Sequence, residues 1–161
     1  MDLLDKELKI AYAIHAALEA GLKILEVYQE SFKIEIKDDG TPITLADKRA
    51  NETICSSLKK LDIPLISEET LIQDWDTRKN WPYYWLIDPL DGTKEFINRN
   101  GEFTVNIALM EGHEPIGGII FAPVSDLLYF SLDEKGAFKI TGASQITRKT
   151  SPKELYDFIS L

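Results

Sequence analysis

The second half of the sequence alternates apolar and polar residues in four short segments separated by turn signals. The segments read FTVNIAL, IGGIIF, LLYFSL and AFKI, with EGHE, APVSD and DEKG between them. Alternation with a period of two indicates strands with one buried face, and turn signals about every 8–12 residues indicate antiparallel hairpins. The sequence therefore predicts a four-stranded meander over about 103–140. Gly117 and Gly118 within its second strand indicate a bulge or a close backbone approach.

Helical patterns precede the meander. Leucines and alanines recur at steps of three and four, which predicts a long amphipathic helix from about residue 3 to 29. Thr44 is the predicted N-cap of a second helix that runs to about Lys60. Between the helices, FKIEIK at 32–37 alternates as a strand does, and DDGTP at 38–42 has turn chemistry.

Two further apolar runs lie between the second helix and the meander. IPLIS at 63–67 and WLID at 85–88 predict short buried strands, residues 70–82 are polar and irregular, and a short helix is predicted to begin near Gly92. The predicted fold class is α+β, a layered α/β sandwich with two N-terminal helices packed on a largely antiparallel sheet. The length of 161 residues fits a single domain, 1–161.

Composition limits the classes of partner. The net charge is −9, and a polymer of nucleic acid requires clustered Lys and Arg, so such a partner is not expected. A small anionic substrate is compatible with this charge, because bound divalent ions reverse the local field. No window approaches the ~18 apolar residues of a membrane span. The single Cys55 excludes an internal disulfide, and a cytoplasmic location is expected, with peripheral membrane association left open.

Acidic residues follow both apolar runs. Glu68 and Glu69 end the first, and Asp88 and Asp91 end the second. Asp-Pro and Asp-Gly are common turn dipeptides, so the bland interpretation is two acidic turns. If the two strands are parallel neighbours, however, Glu68, Asp88 and Asp91 converge. Converging carboxylates suit Mg²⁺, which proteins bind through oxygen together with substrate phosphate, and this hypothesis is preferred.

Four residues near these acids could also belong to the site, and two of them, Asp47 and Lys94, have an alternative interpretation. Asp47 could close a capping box with Thr44 or orient a hydroxyl in the site, and sequence spacing does not separate the two roles. Gly92 and Thr93 open the predicted short helix, whose backbone N–H groups could receive an anion. Lys94 follows this turn, and substrate contact is slightly favoured over a solvated lysine.

These motifs resemble those of the inositol monophosphatase superfamily of Mg²⁺-dependent, lithium-sensitive phosphatases. The family's D-P-x-D-G-T signature matches residues 88–93, its E-E pair matches 68–69, and its upstream acid matches Asp47 within DGTPITLAD. GTKEF followed by NRNGEFTVNIALM resembles the 3'(2'),5'-bisphosphate nucleotidases of the bacterial CysQ type. Inositol monophosphatases usually carry Asn where this chain has Glu95.

The resemblance implies a set of metal ligands. Glu68, Asp88 and the carbonyl of Leu90 would hold the first ion, and Asp88 with Asp91 would hold the second. Two or three Mg²⁺ ions are expected in the full-length family, clamping the entering and leaving oxygens.

The resemblance also implies catalytic and substrate-binding roles. The implied catalytic residues are Asp47, Glu68 and Thr93, with Thr93 oriented by Asp47 and assisted by Glu68 in activating the attacking water. The implied substrate contacts are Glu68, Leu90, Asp91, Gly92, Thr93 and Lys94.

The chain departs from the family pattern in one respect. The family's second half carries a W-D-x-A motif whose Asp completes the second metal site, whereas the only Trp-Asp pair here is Trp75-Asp76, followed by Thr77. A final helix, capped by Ser151, ends on apolar residues. The sequence is therefore expected to be an N-terminal domain whose partner is a missing C-terminal half or a second copy in a homodimer.

The expected function is hydrolysis of a small phosphorylated nucleotide, 3'-phosphoadenosine 5'-phosphate, to AMP and phosphate. The resemblance links this reaction to sulfur assimilation, and the 161 residues alone are expected to be impaired. An inositol monophosphatase-like phosphatase is the first alternative. A non-catalytic metal-binding or interaction module is the second.

Overall fold

Six helices and eight strands make up the described part of the chain. The computed structural model describes residues 1–30, 33–36, 42–70, 74–147 and 151–159. The helices are α1 (Leu3–Tyr28), α2 (Leu45–Leu58), α3 (Trp75–Arg78), α4 (Thr93–Ile97), α5 (Ser144–Thr147) and α6 (Pro152–Ile159). The strands are β1 (Ile34–Ile36), β2 (Pro42–Thr44), β3 (Leu65–Ser67), β4 (Tyr83–Asp91), β5 (Thr104–Glu111), β6 (Glu114–Ala122), β7 (Leu127–Leu132) and β8 (Gly136–Thr141).

The main sheet has six strands in the order β3-β4-β5-β6-β7-β8, and β1 pairs with β2 in a separate hairpin. Only β3 and β4 are parallel, and all other neighbours are antiparallel. Hairpins explain the antiparallel order because each strand returns beside the one before it. The parallel pair needs a crossover, which the segment containing α3 provides.

Helices α1 and α2 pack together and cover one face of this sheet. Their apolar stripes meet the inward-facing residues of the strands, and each fully buried aliphatic or aromatic side chain contributes about 1.5–3 kcal/mol. The largest side chains of this core that are under 2% exposed are Trp85, Phe96, Phe103, Phe121, Ile10, Ile14, Leu18, Ile24, Ile54, Leu58, Ile87 and Ile107.

The opposite face of the sheet is open. Asp88, Asn106, Ile120 and Tyr129 are consecutive cross-strand partners on β4 to β7, so they form one row on this face. Ile120 is 49% exposed and Tyr129 is 40% exposed. Residues of this face line a groove of about 730 Å³, and the acidic ends of β3 and β4 line it as well.

The predicted fold class is confirmed, with local corrections. Both long helices and the meander lie where the sequence placed them. The strand predicted at 85–88 is longer, since β4 begins at Tyr83, and the second helix gives way to a 3₁₀ turn after Leu58. The segment 70–82 is not wholly irregular, because Asp74 caps α3 by accepting a bond from the Thr77 amide. The predicted 38–42 turn lies outside the described residues except for position 42.

Gly117 shows both features that its sequence context indicated. The register between β5 and β6 shifts beside it, which is a bulge. A Cβ at Gly117 would also lie 2.5 Å from Ile10 Cδ1 and 3.3 Å from the Ser131 carbonyl oxygen. Helix α1 therefore approaches β6 closely because residue 117 has no side chain.

Gly117→Ala is expected to lower the free energy of unfolding by about 1–3 kcal/mol, because the added methyl overpacks the contact with α1. The matched control is Gly118→Ala, whose Cβ would meet nothing nearer than Ser131 Oγ at 3.6 Å. The control should be neutral or slightly stabilising. Urea unfolding of both variants checks this, and equal effects would contradict the close approach.

Candidate functional site

The parallel pairing of β3 with β4 brings two acidic strand ends together. Ser67 lies opposite Ile87 in the register, and the Glu68 amide donates to the Ile87 carbonyl oxygen over 3.1 Å. Glu68 therefore follows β3 at the level where Asp88 follows Ile87. The sequence hypothesis that these strand ends coincide is confirmed.

A bulge in β4 separates Asp88 from Asp91. Asp88 pairs with Asn106 and Asp91 pairs with Thr104, so the ladder shifts between them. Pro89 lies in this bulge, where its missing N–H breaks no regular ladder bond. Asn106 Nδ2 donates to Asp91 Oδ2 over 3.1 Å. Both acids thus stay at one edge of the sheet, with Asn106 of β5 beside them.

Asp88 has an unusual electrostatic environment. Burial, together with the negative charges of Glu68, Asp91 and Glu69, raises its pKa from 3.8 to about 7, although a hydrogen bond from the Leu90 amide acts in the opposite direction. Its Oδ1 atom is buried and has no hydrogen-bond partner among the described residues. A carboxylate surrounded by other acids, with one oxygen buried and without a donor among the described residues, is suited to a cation.

Asp47 performs both of the roles that its spacing left open. Its Oδ2 atom accepts from the Thr44 amide over 2.7 Å and from Thr44 Oγ1 over 2.6 Å, which closes the capping box of α2. Its Oδ1 atom accepts from Thr93 Oγ1 over 3.0 Å. Asp47 is 1% exposed, so a buried carboxylate links the start of α2 to the start of α4.

Gly92 forms the turn between Asp91 and α4. Its φ is +95°, and a Cβ there would lie 3.0 Å from the Glu102 carbonyl oxygen. Only glycine adopts this conformation at low cost. Thr93 then begins α4, where backbone N–H groups have no partner within the helix. Lys94 follows on the exposed side.

Comparison with known proteins shows which family this chain belongs to. The sequence profile of the Inositol monophosphatase family matches residues 5–160. The chain belongs to the inositol monophosphatase family. The resemblance drawn from the D-P-x-D-G-T signature, the E-E pair and Asp47 is thereby confirmed.

Individual members of the inositol monophosphatase family are similar over much of the chain. The 3'(2'),5'-bisphosphate nucleotidase CysQ of Salmonella typhimurium is 47% identical over 123 residues, which are 74% of this chain and 50% of that protein. Its Haemophilus influenzae counterpart is 36% identical over 153 residues, 92% of this chain and 55% of that protein. The crystal structure of CysQ from Bacteroides thetaiotaomicron matches with a TM-score of 0.79 and 42% identity, covering 94% of this chain and 55% of that one. The chain thus spans about half the length of these family members.

The acids that are expected to bind metal do not form a complete coordination site by themselves. Within the described ranges, no group of three or more His, Cys, Asp or Glu side chains is arranged to hold a metal ion. The charges of Glu68 and Asp91 nevertheless act on Asp88, because Coulomb interactions reach further than coordination bonds. The donor set is all oxygen, as Mg²⁺ requires. The residues fit the ion, and their roles as ligands remain predictions.

Sequence reasoning did not identify three polar residues that contact or support the acids, namely Asn51, Ser67 and Asn106. Asn106 holds Asp91, and Asn51 of α2 accepts from Ser67 Oγ over 2.7 Å. Asn51 lies four residues after Asp47, on the same face of α2, and this spacing was the available signal. The partners of Asn51 and Asn106 follow from the tertiary fold. The inositol monophosphatase family site therefore depends on amides as well as carboxylates.

Proposed function

We propose that this chain carries the water-activating and metal-binding residues of a phosphatase that hydrolyses nucleoside 3'(2'),5'-bisphosphates. The substrate class is 3'-phosphoadenosine 5'-phosphate, the products are AMP and phosphate, and the process is sulfur assimilation. The observation that carries the proposal is Asp88, with its unpartnered Oδ1 and its raised pKa, beside Glu68 and Asp91. The similarity to proteins named 3'(2'),5'-bisphosphate nucleotidase supports the choice of substrate.

Thr93 and Asp47 form the proton path. An ionised Asp47 is an acceptor only, so the 3.0 Å contact requires the Thr93 hydroxyl to donate its single proton to Asp47. The lone pairs of Thr93 Oγ1 are then available to accept a hydrogen bond from water. A water held by Thr93 and Glu68 is oriented towards phosphorus and gives up its proton along this path.

The acids that follow the paired ends of β3 and β4 would hold Mg²⁺. Glu68, Asp88, Asp91 and the carbonyl oxygen of Leu90 are the proposed ligands, and the amides of Gly92 and Thr93 together with Lys94 are the proposed phosphate contacts. When bound, Mg²⁺ supplies positive charge that lowers the pKa of water and neutralises the phosphoryl oxygens. The oxygen of the attacking water forms a bond to phosphorus, the bond between phosphorus and the ribose 3'-oxygen breaks, and that oxygen leaves as a hydroxyl group of AMP after taking a proton from solvent water.

Phosphate release by the full chain tests this function. With Mg²⁺ present, we expect more phosphate from 3'-phosphoadenosine 5'-phosphate than from inositol 1-phosphate, and inhibition by Li⁺. Asp88→Asn should abolish release, whereas Glu114→Gln, at an exposed strand acid, should not change it. Preference for inositol 1-phosphate would favour the inositol monophosphatase-like alternative. Divalent-ion binding without turnover would favour a non-catalytic module.

The open sheet face is the proposed interface of the working protein. Leu86 is 44% exposed on it, beside the row that contains Ile120 and Tyr129. A large exposed apolar surface marks an interaction site. A second copy of the chain would cover it in a homodimer, and light scattering would show twice the mass. A monomeric mass would favour cover by a further domain of the kind that makes the relatives about twice as long.

The proposed location is the cytoplasm. Cys55 is free and buried, which suits a reducing compartment. Among the helices of the described residues, none has the length and apolarity needed to span a bilayer.

A further inference from the structure

A buried amide on α2 holds the strand that carries Glu68. Ser67 Oγ donates to Asn51 Oδ1 over 2.7 Å, and the exposed fractions are 0% for Ser67 and 9% for Asn51. Cys55 Sγ donates to the same oxygen over 3.3 Å. Neither Asn51 nor Ser67 takes part in the proton path or in the proposed ligand set.

The buried bond between Ser67 and Asn51 lies next to Glu68 and restrains the position of that residue. Ser67 pairs with Ile87, whose side chain is buried on the helix side of the sheet. The next residue, Glu68, follows the strand, is exposed and lines the groove on the opposite, open face. Ser67 Oγ also accepts from the Glu69 amide over 3.3 Å. One serine hydroxyl thus joins α2 to the backbone on the far side of Glu68.

Among the described strands, β3 has one neighbour. Strand β3 has three residues and lies at the edge of the sheet, so only β4 pairs with it. A short edge strand gains little from its own ladder. The bond to Asn51 is buried, and breaking it would leave buried polar groups without a partner.

We propose that Asn51 is a positioning residue that acts through Ser67 to set Glu68 against Asp88. This inference rests on the proposed function. Asp47 and Asn51 are one turn apart on α2, so one helix places both halves of the site. Asp47 places Thr93, and Asn51 places the carboxylate that binds the metal and the attacking water.

Hydrogen exchange of the full chain tests the placement without any metal. In Asn51→Leu, the amides of Glu68 and Glu69 should exchange at least about 10-fold faster, since one lost bond of about 1.4 kcal/mol gives that factor. The Trp85 amide, which bonds the Pro64 carbonyl oxygen at the other end of the β3–β4 pair, should keep its protection. Uniform loss over both ends, or no loss at Glu68, would overturn the inference.

Mn²⁺ binding, followed by the electron paramagnetic resonance of the free ion, supplies the functional readout. Asn51→Leu and Ser67→Ala should each weaken binding by about 10-fold or more, as do outer partners of metal ligands elsewhere. The double variant should bind no more weakly than Ser67→Ala alone, because Ser67→Ala already removes the bond between Ser67 and Asn51. Losses that multiply would overturn the inference.

Cys55→Ala is the matched control for both measurements. It removes the other donor to Asn51 Oδ1 and leaves the Ser67 bond in place. Binding and Glu68 protection should stay near the wild-type values, and a loss as large as that of Asn51→Leu would overturn the inference. If the wild-type chain binds no Mn²⁺, the proposed function fails, and the exchange experiment still decides the role of Asn51.

Discussion

Asp88→Asn is expected to stabilise the metal-free chain at pH 8 and to abolish its binding of Mg²⁺. Burial and the neighbouring acids raise the pKa of Asp88 from 3.8 to about 7. The folded state therefore binds this proton more tightly than the unfolded state. The associated stability is fully present below about pH 4 and is lost as the pH rises through about 7.

The size of the effect follows from this shift. Three pKa units correspond to about 4 kcal/mol, but Asp88 is only half-buried, and solvent screening reduces the expected gain at pH 8 to about 1–2 kcal/mol. The gain should vanish near pH 4, where wild-type Asp88 is protonated in the folded chain. Urea unfolding at pH 4 and pH 8, without divalent ions, measures both values.

Added Mg²⁺ should make the wild-type chain more stable than Asp88→Asn, which reverses their order of stability without the ion. A ligand that binds only the folded state raises its stability, so the wild-type Tm should rise with Mg²⁺ and the Tm of Asp88→Asn should not. Glu114→Gln, at an exposed acid on β6, should behave as the wild type throughout. Equal stabilisation of Asp88→Asn by Mg²⁺ would show that the ion binds elsewhere.

Asp47→Ala and Thr93→Val should damage the chain in different ways. Asp47 accepts three hydrogen bonds while almost fully buried. Its removal leaves the buried Thr44 amide without its acceptor and two hydroxyls with one partner fewer, so the free energy of unfolding should fall by about 3 kcal/mol. Thr93→Val removes a single bond and should lower it by about 1 kcal/mol.

Thr93→Val should lose much of its activity although its stability falls only slightly. Thr93→Val removes the oxygen that we propose orients the water, and it should lower kcat by about 10²-fold while the chain stays folded. Thr93→Ser keeps the hydroxyl and should retain most of kcat, which makes it the matched control. Urea unfolding and phosphate release on the same samples separate the two effects. Full activity in Thr93→Val would remove Thr93 from the proton path.

Periodicity and turn chemistry predicted the parts of the fold that depend on neighbours in sequence. The alternation of the meander gave its strands, and the Thr44 capping box gave the start of α2. The acidic ends of two apolar runs predicted the meeting of Glu68 with Asp88, because parallel neighbours end at the same edge. Short elements such as β2 and α3 were not predicted, because a few residues carry too little periodic signal.

The contacts that sequence reasoning missed join residues far apart in the chain. Ser67 reaches Asn51 across 16 positions, and Asn106 reaches Asp91 across 15. Such pairs depend on which residues of two elements face each other, and sequence spacing alone leaves this open. The dual role of Asp47 was undecided for the same reason, since Thr93 is 46 residues away.

The order of the strands has a consequence for assembly of the chain. From β4 to β8 each strand pairs with the next in sequence, and hairpins close over short loops at small entropic cost. The parallel pair β3–β4 instead forms only after a longer crossover segment closes. Helix α6 packs against α1, so this contact joins the two ends of the chain. We therefore expect the meander to gain protection before the Glu68 amide in pulse-labelled refolding, so that the acidic strand ends come together after the sheet that supports them has formed.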